Sequence, residues 1–145
     1  MTVDGWSLVR FLHVLAAIGW VGGQLTLSGV VLPVLRKELD PASRGPLVRK
    51  AATRFALLAN VVLLPTSLVT GLALLAHRHV SWDIFFGAGY GRLLLIKLTF
   101  VTVSVVLAGV HGIIATKYPG SARPLGIAGL VSSLLIVVFA TALVP

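Results

Sequence analysis

The sequence predicts an all-α integral membrane protein whose helices form a four-helix bundle. Hydrophobic residues make up 57% of the 145-residue chain, whereas charged residues make up 11%. Four apolar runs are each about 20 residues long, the length that a helix needs to cross the hydrocarbon core. Lipid cannot satisfy backbone polar groups and no alternating polar pattern predicts barrel strands, so these runs must be helices. We expect one domain over residues 1–145, with spans at about 7–34, 54–77, 92–116 and 124–144.

Capping residues and prolines mark the limits of the first span and of the segment after it. Asp4 or Ser7 can cap the start of the first helix, and Pro33 is expected to lie near its end. The segment that follows is strongly basic. Pro41 and Pro46 are expected to break it.

The other three spans carry their own local signals. Pro65 lies within the second span and removes a backbone donor, so we expect a kink there. The third run is apolar except for Lys97. Tyr118, Pro119 and Gly120 predict a tight turn before the fourth span.

Positive charge is distributed unequally between the connecting segments. The net charge is +8, which in a soluble protein would suggest nucleic acid, but here the basic residues follow the positive-inside rule. We therefore expect a multi-pass protein of a bacterial-type inner (plasma) membrane, with the lipid bilayer as its partner, no nucleic acid, and both termini outside. The residues expected on the cytoplasmic side are Arg36, Lys37, Arg44, Arg49, Lys50, Arg54, Lys117 and Arg123.

Ionisable side chains inside the apolar runs mark a candidate site, because a charge or an imidazole at membrane depth is costly. His13 lies in the first span, and Lys97 and His111 lie in the third. Lys97, Ser104 and His111 follow one another at intervals of seven residues and so form one stripe along the helix. We expect this stripe to face the bundle interior.

Imidazoles and basic residues lie near the outer ends of the spans. Neutral imidazole is the usual axial ligand of haem iron, and Arg or Lys can neutralise haem propionates. We therefore predict a haem b site with His13 as one axial ligand and His77 or His79 as the other. The remaining members of the predicted site are Arg10, Arg92 and Lys97 around the carboxylates, Trp20 beside the ring, and His111 as an inner metal ligand.

Each of these residues also has a structural interpretation. His13 can instead form a hydrogen bond across helices, and His77 and His79 can be solvated interface residues. Lys97 can extend its ammonium group to the interface. For His111, a structural role and a second haem are both open. Helical rise places it roughly 20 Å from His13 in depth if spans one and three run parallel, too far to share one metal.

Small residues in the first span allow a neighbouring surface to approach closely. Gly19 and Gly23 form a pair at helical spacing, which indicates either helix packing or a flat cofactor lying against that face. Trp20 lies two turns after His13 on the same side and can line a ring-shaped ligand or simply pack. A homodimer through such small-residue faces is a further expectation.

Two segments resemble the signature segments of a known family, the copper-resistance protein D membrane domain. They are residues 12–23, LHVLAAIGWVGG, and residues 90–97, YGRLLLIK. Pro33, Thr70 and Gly71 extend the resemblance to nearly the whole chain. It implies a membrane protein that handles copper, which His13, His77 and His79 would hold at the outer level.

The same layout is more distantly similar to the HemJ-type protoporphyrinogen oxidases. That resemblance implies a small four-span protein that binds haem b through His13 and uses Lys97. The segments 64–66 and 111–112 also look similar, whereas Gly22 and Gly23 follow the tryptophan where that family favours an aromatic residue, Ala and Gly.

The primary hypothesis is a haem b-binding membrane protein with a redox, electron-transfer or haem/porphyrin-related role and a redox partner still to be identified. The alternatives are a copper-handling transport protein and a small structural subunit of a membrane complex. The chain has no Cys, and its one Met is the first residue. Soft thiolate and thioether ligands preferred by Cu(I) are therefore missing from the apolar runs, which weighs against copper transport.

Overall fold

The computed structural model of the protein describes residues 4–117 and 122–142, which are helical apart from short connections and contain no strand. Four helices are long and apolar enough to cross a membrane. The all-α class and the multi-pass membrane character are thereby confirmed. The turn predicted at residues 118–120 lies outside the described residues. The four membrane-length helices are Gly5–Glu38, Pro41–His77, Tyr90–Ile114 and Pro124–Ala142.

The chain divides into two compact units, Met1–His79 and Val80–Pro145. Each unit contains two of the membrane-length helices. The first unit contains α1 (Gly5–Thr26), α2 (Leu32–Glu38), α3 (Pro41–Leu58) and α4 (Leu64–His77); the second contains α5 (Trp82–Phe86), α6 (Tyr90–Lys117) and α7 (Ala122–Ala142).

In the first unit, α1 and α4 run antiparallel. At the start of α1, the ring of Trp6 stacks on His77, the last residue of α4. Further along α1, Gly19 faces Leu63, so closely that a Cβ on the glycine would lie 2.9 Å from Leu63 Cδ2. Because later residues of α1 meet earlier residues of the second helix, the two form a hairpin.

The segment between the first two spans is helical except at Leu39 and Asp40, so the helix is broken directly before Pro41, as predicted. The first helix continues to Glu38, and α3 begins at Pro41. Asp40 caps α3 by accepting hydrogen bonds from the backbone N–H groups of Ala42 (2.9 Å) and Ser43 (3.1 Å). A proline at the first helical position needs no N–H, so Pro41 can start the helix that follows this break.

Two π-helical segments explain how the prolines are accommodated. Leu27–Val31 ends two residues before Pro33. Ala59–Leu63 ends two residues before Pro65. A wider turn moves the carbonyl of the preceding turn away from the pyrrolidine ring. The prediction that Pro33 ends the helix is therefore wrong. The disturbance predicted at Pro65 takes the form of a π turn.

Pro46 also lies within a helix, contrary to the sequence-based prediction that it breaks the segment. It is the sixth residue of α3, where the missing N–H affects a carbonyl of the first turn only. The helix therefore continues past Pro46 although one backbone hydrogen bond is missing.

In the second unit, α6 and α7 pack as an antiparallel pair. The rings of Phe100 and Phe139 are stacked with their centroids 5.6 Å apart. Four residues further along α6, at Ser104, the hydroxyl groups of Ser104 and Ser133 lie 2.7 Å apart, and both residues are fully buried. A hydroxyl pair satisfies both groups in an apolar setting and links the two helices.

The outward surface of the helices is apolar. Leu57 is 65% exposed and Val69 is 66% exposed, although both lie in membrane-length helices. In water such a surface would be unfavourable, whereas lipid tails are as apolar as these side chains. The arrangement fits a lipid bilayer.

Candidate functional site

His13 lies on α1 and directs its imidazole toward α4. Its Nδ1 atom is 3.0 Å from the backbone oxygen of Ser67 and 3.0 Å from the hydroxyl oxygen of Thr70. His13 is half-buried, and Thr70 is buried. The ring is therefore fixed through one nitrogen by two groups of the facing helix.

These contacts determine which nitrogen carries the proton. A backbone oxygen can only accept a hydrogen bond, so Nδ1–H must donate to Ser67. The hydroxyl of Thr70 donates its own proton to the backbone oxygen of Thr66, 2.5 Å away, and its oxygen is left to accept from His13. In the neutral ring the lone pair then lies on Nε2.

Gly71 permits this close approach. A Cβ at this position would lie 3.1 Å from His13 Cε1 and 3.5 Å from Nδ1. A side chain on residue 71 would push the ring away from α4. Glycine at this position therefore allows the imidazole of His13 to lie flush against the facing helix.

The small-residue face of α1 is filled by side chains from the same unit. Leu63 packs against Gly19, and the ring of Phe55 occupies the space beside Gly23. Trp20 stacks on the same phenylalanine, with centroids 6.2 Å apart and planes inclined by 26°. These contacts are those of helix packing, one of the two interpretations of this glycine pair. The other, a flat cofactor on that face, stays a prediction.

The structure does not bring His77 to His13. His77 stacks on Trp6, with ring centroids 3.8 Å apart and planes inclined by 12°. Trp6 precedes His13 by two turns of α1, about 10 Å along the axis. The expectation that both imidazoles share one level, as axial ligands of one iron, therefore does not match the observed register.

His79 has a local role at the end of α4. Its φ of +50° lies in the left-handed region, and its N–H donates to the backbone oxygen of Ala76 over 3.1 Å. This geometry is typical of a residue that terminates a helix. Over residues 4–117 and 122–142 no three His, Asp or Glu side chains are grouped closely enough to hold a metal ion, so the outer three-histidine cluster is not assembled.

Arg10 lies one turn before His13 on α1 and is exposed. Its assignment to a haem carboxylate stays a prediction. Ser67 and Thr70, by contrast, are not predicted as partners of His13, because the register between the two helices is not visible in the sequence. The hydroxyl of Thr70 on a largely apolar helix is the one signal in the sequence, whereas the backbone oxygen of Ser67 leaves none.

The predicted stripe on α6 is partly oriented by the second unit. Ser104, its central member, is buried against α7, as predicted, and bonds to Ser133. His111 is half-buried and lies against Gly126, where a Cβ would be 3.2 Å from its Cε1. Each unit thus places an imidazole against a glycine of the neighbouring helix.

The two basic members of the predicted site in this unit differ in exposure. Lys97 is half-buried, whereas Arg92 is exposed near the start of α6. Their assignment to haem carboxylates stays a prediction.

Comparison with known proteins finds a relative of similar length. A protein of Aquifex aeolicus (strain VF5), described as an uncharacterized protein, is 35% identical over 136 residues. The match covers 90% of this chain and 90% of that protein. No family model matches the chain. No solved structure matches it either.

Proposed function

We propose that this chain, which belongs to the same family as the Aquifex aeolicus protein, is a haem b-binding integral membrane protein with a redox, electron-transfer or porphyrin-related role. The observation that carries the proposal is the orientation of His13. Its Nδ1–H is held by Ser67 and Thr70, which leaves the lone pair of the neutral ring on Nε2. Metal-ligating histidines typically have this second hydrogen bond.

The residues around His13 suit a haem ligand. The carbonyl of Ser67 and the hydroxyl of Thr70 fix the plane of the ring and raise the basicity of Nε2. Arg10, one turn toward the outer boundary, offers a guanidinium group to a propionate. When bound, haem supplies a one-electron couple whose potential depends on the axial ligand and its hydrogen bonds.

The first unit contributes one imidazole in this orientation, because His77 is held by Trp6. The coordination state of the iron therefore reports whether another ligand completes the site. A low-spin spectrum indicates two strong axial ligands. A high-spin ferrous form that binds carbon monoxide indicates one.

The test is the visible spectrum of the detergent-purified protein, oxidised and dithionite-reduced, together with iron and copper analysis. We expect a Soret band that is lost in His13→Gly and restored by added imidazole, which also shows that the variant is folded. His77→Ala is the matched control and should keep the band. Colour that persists in His13→Gly without imidazole would contradict the assignment, and a colourless protein with stoichiometric copper would favour copper handling instead.

A further inference from the structure

Helix α3 has two opposite faces. Its inward face consists of residues spaced by three or four positions, all half-buried, and one of them packs its ring on Trp20 of α1. These inward residues are Arg44, Val48, Ala51 and Phe55. The opposite face is fully exposed and forms a shallow recess. It is lined by Pro46, Arg49, Lys50, Thr53 and Arg54.

The three cations of this outward face have no carboxylate partner. In the described part of the chain, neither Arg49 nor Lys50 nor Arg54 takes part in an ion pair. The acidic residues of the hairpin tip are Glu38 and Asp40, and the latter accepts the backbone N–H groups at the start of α3. The positive charge of this face is therefore uncompensated within the described residues.

The position of these cations along the helix places them at the level of lipid phosphates. The uncharged run that follows Arg54, residues 55–76, is long enough at 1.5 Å per residue to fill the roughly 30 Å hydrocarbon core. Arg49 lies about 7.5 Å further out along the helix. The headgroup region adds about 5–7 Å on each side of the core, so the three side chains reach into that layer.

We infer that this face of α3 is a binding site for the headgroup of an anionic phospholipid. Guanidinium groups donate paired hydrogen bonds to phosphate oxygens, and the ammonium of Lys50 adds a point charge. The hydroxyl of Thr53 lies between the cations and offers a further donor. Each basic residue near an anionic surface strengthens the association roughly fivefold. The inference is independent of haem.

A chain without cysteine allows one label to report on this site. Leu57 is 65% exposed and lies on the same face one turn deeper, at acyl-chain level. A fluorophore on Leu57→Cys in the full-length protein would be quenched by brominated acyl chains of a lipid bound at the recess. The probe is reconstitution into phosphatidylcholine vesicles with increasing brominated phosphatidylglycerol, and brominated phosphatidylcholine as reference.

We expect preferential quenching by phosphatidylglycerol, lowered roughly fivefold for each charge removed in Arg49→Gln, Lys50→Gln and Arg54→Gln. The matched control combines Arg36→Gln, Lys37→Gln and Arg44→Gln, which removes the same charge away from this face and should keep the preference. Unchanged quenching by brominated phosphatidylcholine shows that each variant is inserted.

Three results would overturn the inference. The first is a parent protein without preference for the anionic lipid. The second is an equal loss of the preference in both triple variants, which would mean a diffuse charge effect without a site. The third is loss of the preference in millimolar inorganic phosphate, which would assign the recess to a soluble phosphate compound.

Discussion

The imidazole of His13 gains its chemical character from one hydrogen bond donor, Nδ1–H. Because the carbonyl of Ser67 accepts this proton, the neutral ring presents a lone pair at Nε2. The hydroxyl of Thr70 donates its proton to the backbone oxygen of Thr66, so its oxygen accepts a second hydrogen bond from Nδ1–H of His13. The tautomer of a histidine inside a membrane-length helix is thus fixed by backbone and hydroxyl groups of the facing helix.

Thr70→Val should weaken cofactor binding at His13. The substitution keeps the volume of the side chain but removes the hydroxyl group, and loss of such an outer partner typically lowers metal affinity 10–100-fold. Haem titration followed at the Soret band measures the change. Thr66→Val is the control, since the interaction at that residue uses its backbone oxygen. An equal loss in the control would mean that the hydroxyl of Thr70 has no special part.

Gly71→Ala should displace the ring of His13 from α4. The added Cβ would lie 3.1 Å from Cε1, which is closer than ordinary contact, so the hydrogen bonds to Nδ1 should lengthen. Nitrogen-15 NMR of labelled histidine should show a smaller Nδ1–H tautomer fraction. Gly22→Ala is the matched control, because a Cβ there meets nothing within 4 Å. A tautomer unchanged by Gly71→Ala would disprove the close-packing argument.

The candidate site was only half predictable from the sequence. His13 was found because an imidazole in an apolar run is costly and therefore conspicuous. Its partners Ser67 and Thr70 could not be found in this way, since their contacts with His13 depend on the register between two helices, which composition does not reveal. The same register separates His77 from His13, because the ring of Trp6 takes up the imidazole of His77.

The prolines of the first unit act through the turns that precede them. A five-residue π-helical segment ends two residues before Pro33, and another ends two residues before Pro65. A π turn holds one residue more than an α-turn, so it rotates the helix that follows. The direction in which α4 presents Thr70 to His13 therefore depends on the π turn before Pro65.

Pro65→Ala should alter the surroundings of His13. Without the pyrrolidine ring there is no steric clash to favour the π turn. If this turn closes to α-helical geometry, α4 rotates by about one residue, roughly 100°. We expect loss of the Nδ1–H tautomer signal in nitrogen-15 NMR. Pro33→Ala removes the other π turn, which lies beyond the contacts of His13, and should leave the signal unchanged. Identical spectra for both variants would contradict this coupling.

The start of α3 should be sensitive to acid through Asp40. Hydrogen bonds from Ser43, then from the backbone of Ala42, hold the pKa of Asp40 below its usual value of 3.8. A lowered pKa in the folded state means that the cap stabilises the helix above the usual value and loses this effect as the pH falls through the lowered one. Melting temperatures of parent and Asp40→Asn should therefore converge between these two values. A constant difference down to lower pH would contradict the role of the carboxylate.

Helix starts were easier to predict than helix ends. Asp4 was one of two expected caps, and it accepts the N–H of Ser7 over 2.8 Å. The prediction that the first helix ends near Pro33 is wrong, because a proline interrupts a helix only when the local geometry cannot accommodate the missing hydrogen bond and the steric clash of its ring. In this chain the preceding π turn absorbs both, and the helix runs on to Glu38.

Hydropathy predicts the four spans because a helix that faces lipid needs only a long run of apolar residues, which composition reveals directly. The outward side chains confirm this, with Leu68 and Val69 about two-thirds exposed within a membrane-length helix. Contacts inside each unit, such as the hydroxyl pair of Ser104 and Ser133, depend on exact pairing and were not predicted. Only the burial of one partner followed from the seven-residue spacing.

The orientation of the chain in the membrane follows from its charge distribution. The tip of the first hairpin, between Glu38 and Pro41, is flanked on both sides by basic residues. Segments rich in Lys and Arg next to membrane spans stay on the cytoplasmic side. We therefore predict that this tip faces the cytoplasm and that α5, which lies between the second and third spans, faces outward.

Single cysteines test this orientation without interference, since the chain contains none of its own. Ser43 is exposed at the hairpin tip, and Phe86 in α5 is 70% exposed. In intact cells, a membrane-impermeant maleimide should label Phe86→Cys at once but Ser43→Cys only after permeabilisation. The reverse pattern would invert the topology. Labelling of both sites in intact cells would contradict the second span itself, because an odd number of crossings must separate these residues.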